Sequence, residues 1–327
     1  MYKMTNNGHL YSVFLAPRGG GRMAELGNQI AQQYLSPRDK LIGIIGDAGS
    51  GKSMLIKGMF PGLELTNDDE GVNVRPLPLL DMLDDPLGGL LGKSGMGLFA
   101  TPHTYHLDIR FEQGFTQTRT LAAAILAAIR KGKRVIVEHF ELVYPFLIEE
   151  GSDLPLNADI IVGVGEEVIV TRPNLFGPIP ADIAGIVYES IGYRKMVHSA
   201  EDITGYFLEQ EYHDVYEHAD VRHGFVLCFH EKPKFDLYAL EKKVNDLIAQ
   251  DVKISHIDDT HVKIGDFTYY CTSPRNHVKT TGKITGFTLM KEMPFDSKLQ
   301  RYLLVGLVAQ KGQAKLGDDI DKIERIY

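Results

Sequence analysis

Eight consecutive residues, Gly46-Asp47-Ala48-Gly49-Ser50-Gly51-Lys52-Ser53, carry the plainest chemistry in this sequence. A glycine, four free positions and then Gly-Lys-Ser is the spacing of a loop that wraps a chain of phosphates in backbone N–H groups. Lys52 is placed to reach the outer phosphates, and the Ser53 hydroxyl to join the shell of a magnesium ion. Glycines at 46, 49 and 51 keep side chains out of the space the phosphates take. Asp47, inside the loop, is placed to touch a nucleophile or a bound acceptor. Such a site also needs an acid that orients the metal shell or activates the nucleophile, usually at the end of a neighbouring strand. Glu138, closing Val135-Ile136-Val137, is the first candidate; Asp108, closing Tyr105-His106-Leu107, is the second. Either is also placed to cap a helix or face water. Arg172 and the Arg194-Lys195 pair are candidates for holding outer phosphates.

These residues need elements to position them. Residues 40–45 form an apolar run that reads as a buried parallel strand, and residues 54–60 read as a helix opening, so the loop sits between strand and helix. Strands are also expected over 10–15, 104–111, 134–138, 160–164 and 168–171, with helices over 22–34, 115–131 and 181–191. Residues 71–75 read as a short extended stretch, and the glycine-punctuated segment 81–102 as a loop that orders over a ligand or as a surface insertion. The alternation predicts an α/β fold: a P-loop-type parallel sheet with flanking helices over residues 1–205. After about residue 205 the texture turns to tyrosine, histidine and alternating strands. A smaller α+β domain is therefore expected over 206–327, with the boundary at 200–211.

Composition narrows the partners. The chain has 327 residues, 44% hydrophobic and 24% charged, as expected of two globular domains. Its net charge of −8 argues against a general nucleic-acid binder, and DNA is not an expected partner. Between 275 and 301, six Lys and Arg residues face two acids, which is either a solvated face or a local RNA-facing surface. No apolar run approaches the ~20 residues of a membrane span. The N-terminal residues lack the apolar segment of a secretory signal, and two cysteines make no disulfide framework, so a reducing cytoplasm is the expected location.

Three resemblances rest on these motifs. The glycine loop followed by Tyr105-His106-Leu107-Asp108 resembles the bacterial ATPases that assist threonylcarbamoyl modification of tRNA adenosine. The strand Val135-Ile136-Val137-Glu138 after the loop is equally similar to small-molecule kinases of the uridine-kinase type. Residues 209–293 resemble the second additional domain of alanyl-tRNA synthetases, also found in free-standing alanyl-tRNA editing proteins. The elements matched are an apolar strand over 223–229 and a helix over 235–250 ending in Asn245-Asp246-Leu247-Ile248. Cys271, His277-Val278 and the run from Thr281-Gly282 to Phe287 follow. In that family zinc is held by a helical His-x-x-x-His pair plus a cysteine and a histidine separated by three residues. Here five residues separate Cys271 from His277, and no His-x-x-x-His occurs in the chain. The resemblance makes Cys271 and His277 zinc-ligand candidates, with His218 and His223 the preferred partners among the available histidines. Otherwise these are ordinary polar residues and Cys271 a small buried hydrophobe.

The expectation is an ATP-binding protein using Mg2+, an ATPase joined to an editing-like domain that presents a tRNA end, an amino acid or a related small molecule. Without the metal that domain would bind and not hydrolyse. The alternatives are a small-molecule kinase with the second domain as substrate lid, and a nucleotide-gated binding module without turnover.

Overall fold

The computed structural model describes residues 10–65, 104–150, 158–173, 179–272 and 274–309. The expected stretch 71–75 and loop 81–102 lie outside them. The chain divides into two compact units. Met1–Phe14 with Met23–Glu189 form the first; Leu15–Arg22 with Ser190–Tyr327 form the second.

The first unit is built on a six-stranded sheet ordered β1-β6-β5-β2-β4-β3. These strands are β1 (Leu10–Leu15), β2 (Leu41–Ile45), β3 (Thr104–Asp108), β4 (Arg134–Glu138), β5 (Ile160–Val164) and β6 (Glu167–Arg172). β5, β2, β4 and β3 run parallel, and β6 returns antiparallel to β5. β2 and β5 are buried along their whole length. That burial is why their sequences are continuous apolar runs and not alternating ones. The helices are α1 (Gly20–Tyr34), α2 (Lys52–Met59), α3 (Ile109–Glu112), α4 (Thr118–Arg130) and α5 (Phe140–Glu150). Leu121, Ala122, Ala124, Ile125 and Ala128 of α4 join Val135 and Val137 of β4 in one core. Register places Glu138 opposite both Ile44 and Asp108. The glycine loop after β2, Glu138 and Asp108 therefore share the carboxyl edge of the sheet, where open α/β sheets take their ligands.

The second unit has an antiparallel sheet ordered β12-β14-β8-β7, with β13 also paired to β14, and a three-stranded sheet ordered β11-β10-β9. Its strands are β7 (Glu217–Val221), β8 (Gly224–Phe229), β9 (Ile254–Asp258), β10 (His261–Ile264), β11 (Phe267–Tyr270), β12 (Thr288–Leu289), β13 (Phe295–Asp296) and β14 (Arg301–Leu307). The long helix α6 (Pro180–Leu208) begins in the first unit and ends in the second, and α7 (Leu237–Ala249) is capped by the Asp236 carboxylate. Val197, Ala200, Ile203, Phe225, Leu227, Val244 and Val262 share a separate core.

Three expectations shift. The strand over 104–111 stops at Asp108, because its carboxylate Oδ1 accepts the Phe111 N–H at 3.2 Å and turns the chain into α3. The helix expected to end at 191 continues to Leu208. The division between units falls after Glu189, inside that helix, and not at the change of texture near 205. The result is a mixed α/β fold with a largely parallel sheet, flanking helices and further antiparallel sheets. No helix among the described residues is long and apolar enough to cross a membrane.

Candidate functional site

Residues 46–51 join β2 to α2. Gly49 and Gly51 have φ of 77° and 94°, in the left-handed region, where a side chain is strained. A Cβ on Gly46 would lie 2.5 Å from the Val164 carbonyl oxygen, so the loop leaves the sheet pressed against the end of β5. Leu55 N–H donates to the Gly51 carbonyl at 3.0 Å, opening α2 directly behind the loop. Lys52, in its first turn, is buried. Its Nζ donates to the Asp47 carbonyl at 3.1 Å and lies 3.6 Å from Glu138 Oε2. Arg110 Nη1 stands 3.8 Å from Asp47 Oδ1.

Glu138 is 1% exposed. His106, two residues before Asp108 on the adjacent strand, donates from Nε2 to Glu138 Oε1 at 3.2 Å. Burial pushes the Glu138 carboxyl up, but the His106 hydrogen bond and the charges of His106, Lys52 and His139 outweigh it. The net shift is below the usual glutamate value. The acid is thus held ionised beside a lysine at the carboxyl edge of a parallel sheet. A group so placed can hold a cation or orient a hydroxyl, and a glycine loop that opens a helix beside it can hold an anion.

A second constellation lies within the second unit. His198 and Asp202, one helical turn apart on α6, meet Cys271 just after β11 and His277 in the following loop. One ligand atom from each lies within 4.8 Å of all the others. His198 Nε2 is 3.0 Å from Cys271 Sγ, and His277 Nε2 is 2.9 Å from Asp202 Oδ2. His277 Nδ1 donates to the Pro274 carbonyl at 2.9 Å, which leaves the Nε2 lone pair directed toward Asp202. A lone pair facing a carboxylate requires a proton or a metal ion between them. The hydrogen-bonded Nδ1 also selects the tautomer that ligates through Nε2. The loop is fixed to the helix by Val278 N–H donating to Ser199 Oγ at 3.0 Å. A thiolate, two imidazoles and a carboxylate suit zinc, four ligands closing a tetrahedral site. His198, Asp202 and Cys271 also line a cavity of about 1200 Å³, with Tyr206, Tyr216 and Tyr269 among its walls.

The structure brings together Lys52, Glu138, Asp108 and the loop in the first unit, and Cys271 with His277 in the second. It separates others. His218 Nδ1 bonds Glu201 Oε1 at 2.9 Å, and Glu201 is shared with Arg18 at 3.1 Å, so His218 belongs to the neighbouring acid and not to the four-residue cluster. His223 occupies the turn between β7 and β8, its ring 4.2 Å from that of Tyr193. The cluster's other half is His198 and Asp202, which sequence reasoning missed. The signal was a His-x-x-x-Asp pair in place of His-x-x-x-His. Arg172 pairs with both oxygens of Asp39, at 2.8 and 2.9 Å. Asp39 precedes β2, so this arginine serves the amino edge of that strand, away from the loop. Arg194 donates to the Pro17 carbonyl at 2.9 Å within the second unit.

Compared with known proteins, the sequence matches no protein-family model and no curated protein.

Proposed function

We propose that the first unit binds Mg2+ and ATP through residues 46–53 and hydrolyses the nucleotide, and that the second unit holds one zinc ion. The observation that carries the nucleotide half is the contact of Lys52 Nζ with Glu138, 3.6 Å, beneath a left-handed glycine that opens α2 at the carboxyl edge. In this reading the loop amides and Lys52 hold the phosphates, Ser53 joins the magnesium shell, and Glu138 or Asp108 orients the attacking water. Zinc, when bound, would supply a structural tie between α6 and the loop after β11. Cys271, His198, His277 and Asp202 supply the four ligands. Four protein ligands leave no open position, and that favours recognition over hydrolysis in the second unit. The occupant of the cavity beside it would be a tRNA end or an amino-acid-like molecule.

A small-molecule kinase is the second reading. Asp108 and Glu138 stand side by side in register, which would let one acid serve the metal and the other accept the proton of an acceptor hydroxyl. The test is steady-state ATP turnover with and without bulk tRNA, repeated with Lys52→Ala. Stimulation by tRNA that disappears in the variant is expected. Turnover only with a metabolite moves the assignment to a kinase, and tight binding without turnover reduces the first unit to a nucleotide-gated module.

A further inference from the structure

Beside the glycine loop, Asp108, Glu138 and His139 each offer a ligand atom within 4.8 Å of the others, and all three are buried. Two carboxylates and an imidazole are a donor set for a divalent transition ion such as Mn2+, whereas magnesium prefers oxygen alone. Two buried like charges side by side are costly unless a cation stands with them. Lys52 is such a cation: its Nζ lies 3.6 Å from Glu138 Oε2, while His106 holds Oε1 at 3.2 Å. Both oxygens of Glu138 are thereby engaged. His139 is in a different state. Its Nδ1 is buried without a hydrogen-bond partner among the described residues, and Glu141 Oε1, at 3.7 Å, lies beyond hydrogen-bond reach. Among the described residues, this buried Nδ1 thus has only the longer ion-pair contact with Glu141 to offset its desolvation.

We infer that Asp108, Glu138 and His139 form a site for one Mn2+-like divalent ion, which the Lys52 ammonium holds shut until a phosphate draws the lysine away. Lys52 carries one positive charge where the metal would bring two, so the two cations compete for Glu138 Oε2. Nucleotide and metal then enter in order: the phosphate takes the lysine, and the ion takes the acid the lysine leaves. The ordering rests on the phosphate role of Lys52 proposed above; the ligand set rests on the geometry alone.

The experiment needs no nucleotide. Mn2+ binding to the full chain is measured from the loss of the free-ion electron paramagnetic resonance signal. The chains compared are the unaltered one, Lys52→Met, and Lys52→Met combined with His139→Gly or with Asp108→Asn. Methionine keeps most of the stem volume, glycine accepts the φ of 54° at position 139, and asparagine keeps the cap on α3. Lys52→Met is expected to bind Mn2+ at least about tenfold more tightly than the unaltered chain, with the gain lost in both double variants. The cysteine-containing centre of the second unit is identical in all four chains and cancels in the comparison. Lys52→Gln repeats the test with a polar stem should the methionine chain fail to fold by circular dichroism. Equal Mn2+ affinity with and without Lys52, or a gain that survives both second substitutions, overturns the site. Either result is distinct from a failure to bind ATP, which calorimetry reads separately.

Discussion

Glu138 shows how much a single side chain is asked to do in the first unit. Buried carboxylates are stable only with partners, and here His106 and Lys52 take one oxygen each. Its net shift is downward from 4.5, so its ionised form stabilises the fold at pH above that value, and the stabilisation is lost as pH falls below it. Glu138→Gln is therefore expected to lower the unfolding midpoint at pH 7, by an amount equivalent to ~3 kcal/mol, and the gap to the unaltered chain should close as pH drops below 4.5. A pH series of thermal melts on both chains reads this directly; a gap independent of pH contradicts it. Glu201 behaves alike in the second unit: burial pushes its carboxyl up, but the Arg18 charge and the His198 and His218 hydrogen bonds bring it far below the ordinary range. At the neighbouring cluster, Cys271→Ser and Asp202→Ala are expected to weaken zinc by about 10- to 100-fold, measured as metal per chain after dialysis against a mild chelator. Unchanged zinc in both variants would remove these residues from the ligand set.

Helices α1 and α2 cross in close backbone contact at two glycines. A Cβ on Gly58 would lie 2.0 Å from the Ala24 carbonyl oxygen, and one on Gly27 would lie 2.3 Å from that of Leu55. Both neighbours are backbone and cannot rotate away. Gly58→Ala should cost about 1–3 kcal/mol of stability, read from denaturant unfolding. It should also weaken nucleotide binding, because α2 carries Lys52 at its start. Gly192, mid-helix in α6, meets no atom within 4 Å of an added Cβ, so Gly192→Ala should stabilise by about 0.5–1 kcal/mol by the same measurement. The elements were legible in the sequence where one physical pattern ruled. β4 matches its expected bounds, 134–138, because a strand buried on both faces is a bare apolar run. The strand–loop–helix over 41–59 was legible because an apolar run, closely spaced glycines and a helix opening follow one another there. The C-terminal part of α6 was not. Residues 197–205 are buried all round, with His198, Glu201 and Asp202 among them, so no amphipathic stripe marks the helix. That same burial of polar groups hid the His198–Asp202 pair, whose second member is an aspartate. Asp108 carried two readings at once, a strand-end acid and a helix cap, and it is both: it closes β3 and caps α3.

At the scale of the whole molecule, the two hydrophobic cores share no residue, and each candidate site lies within one unit. Ligands should therefore act on separate parts of the unfolding profile. In scanning calorimetry, Mg2+ with ATP at a hundred times its dissociation constant should stabilise one transition by about 2.7 kcal/mol, and zinc chelation should lower the other. A single transition moved equally by both treatments contradicts this independence. The central claim is that backbone amides of residues 46–53, with Lys52, hold the phosphates of a nucleotide. Isothermal titration calorimetry of the full chain with ATP in the presence of magnesium tests it most directly. The account predicts saturable binding of one ATP per chain that Lys52→Ala weakens by at least about tenfold, equivalent to 1.4 kcal/mol. No heat of binding with ATP or GTP, or the same affinity in the variant, would contradict it.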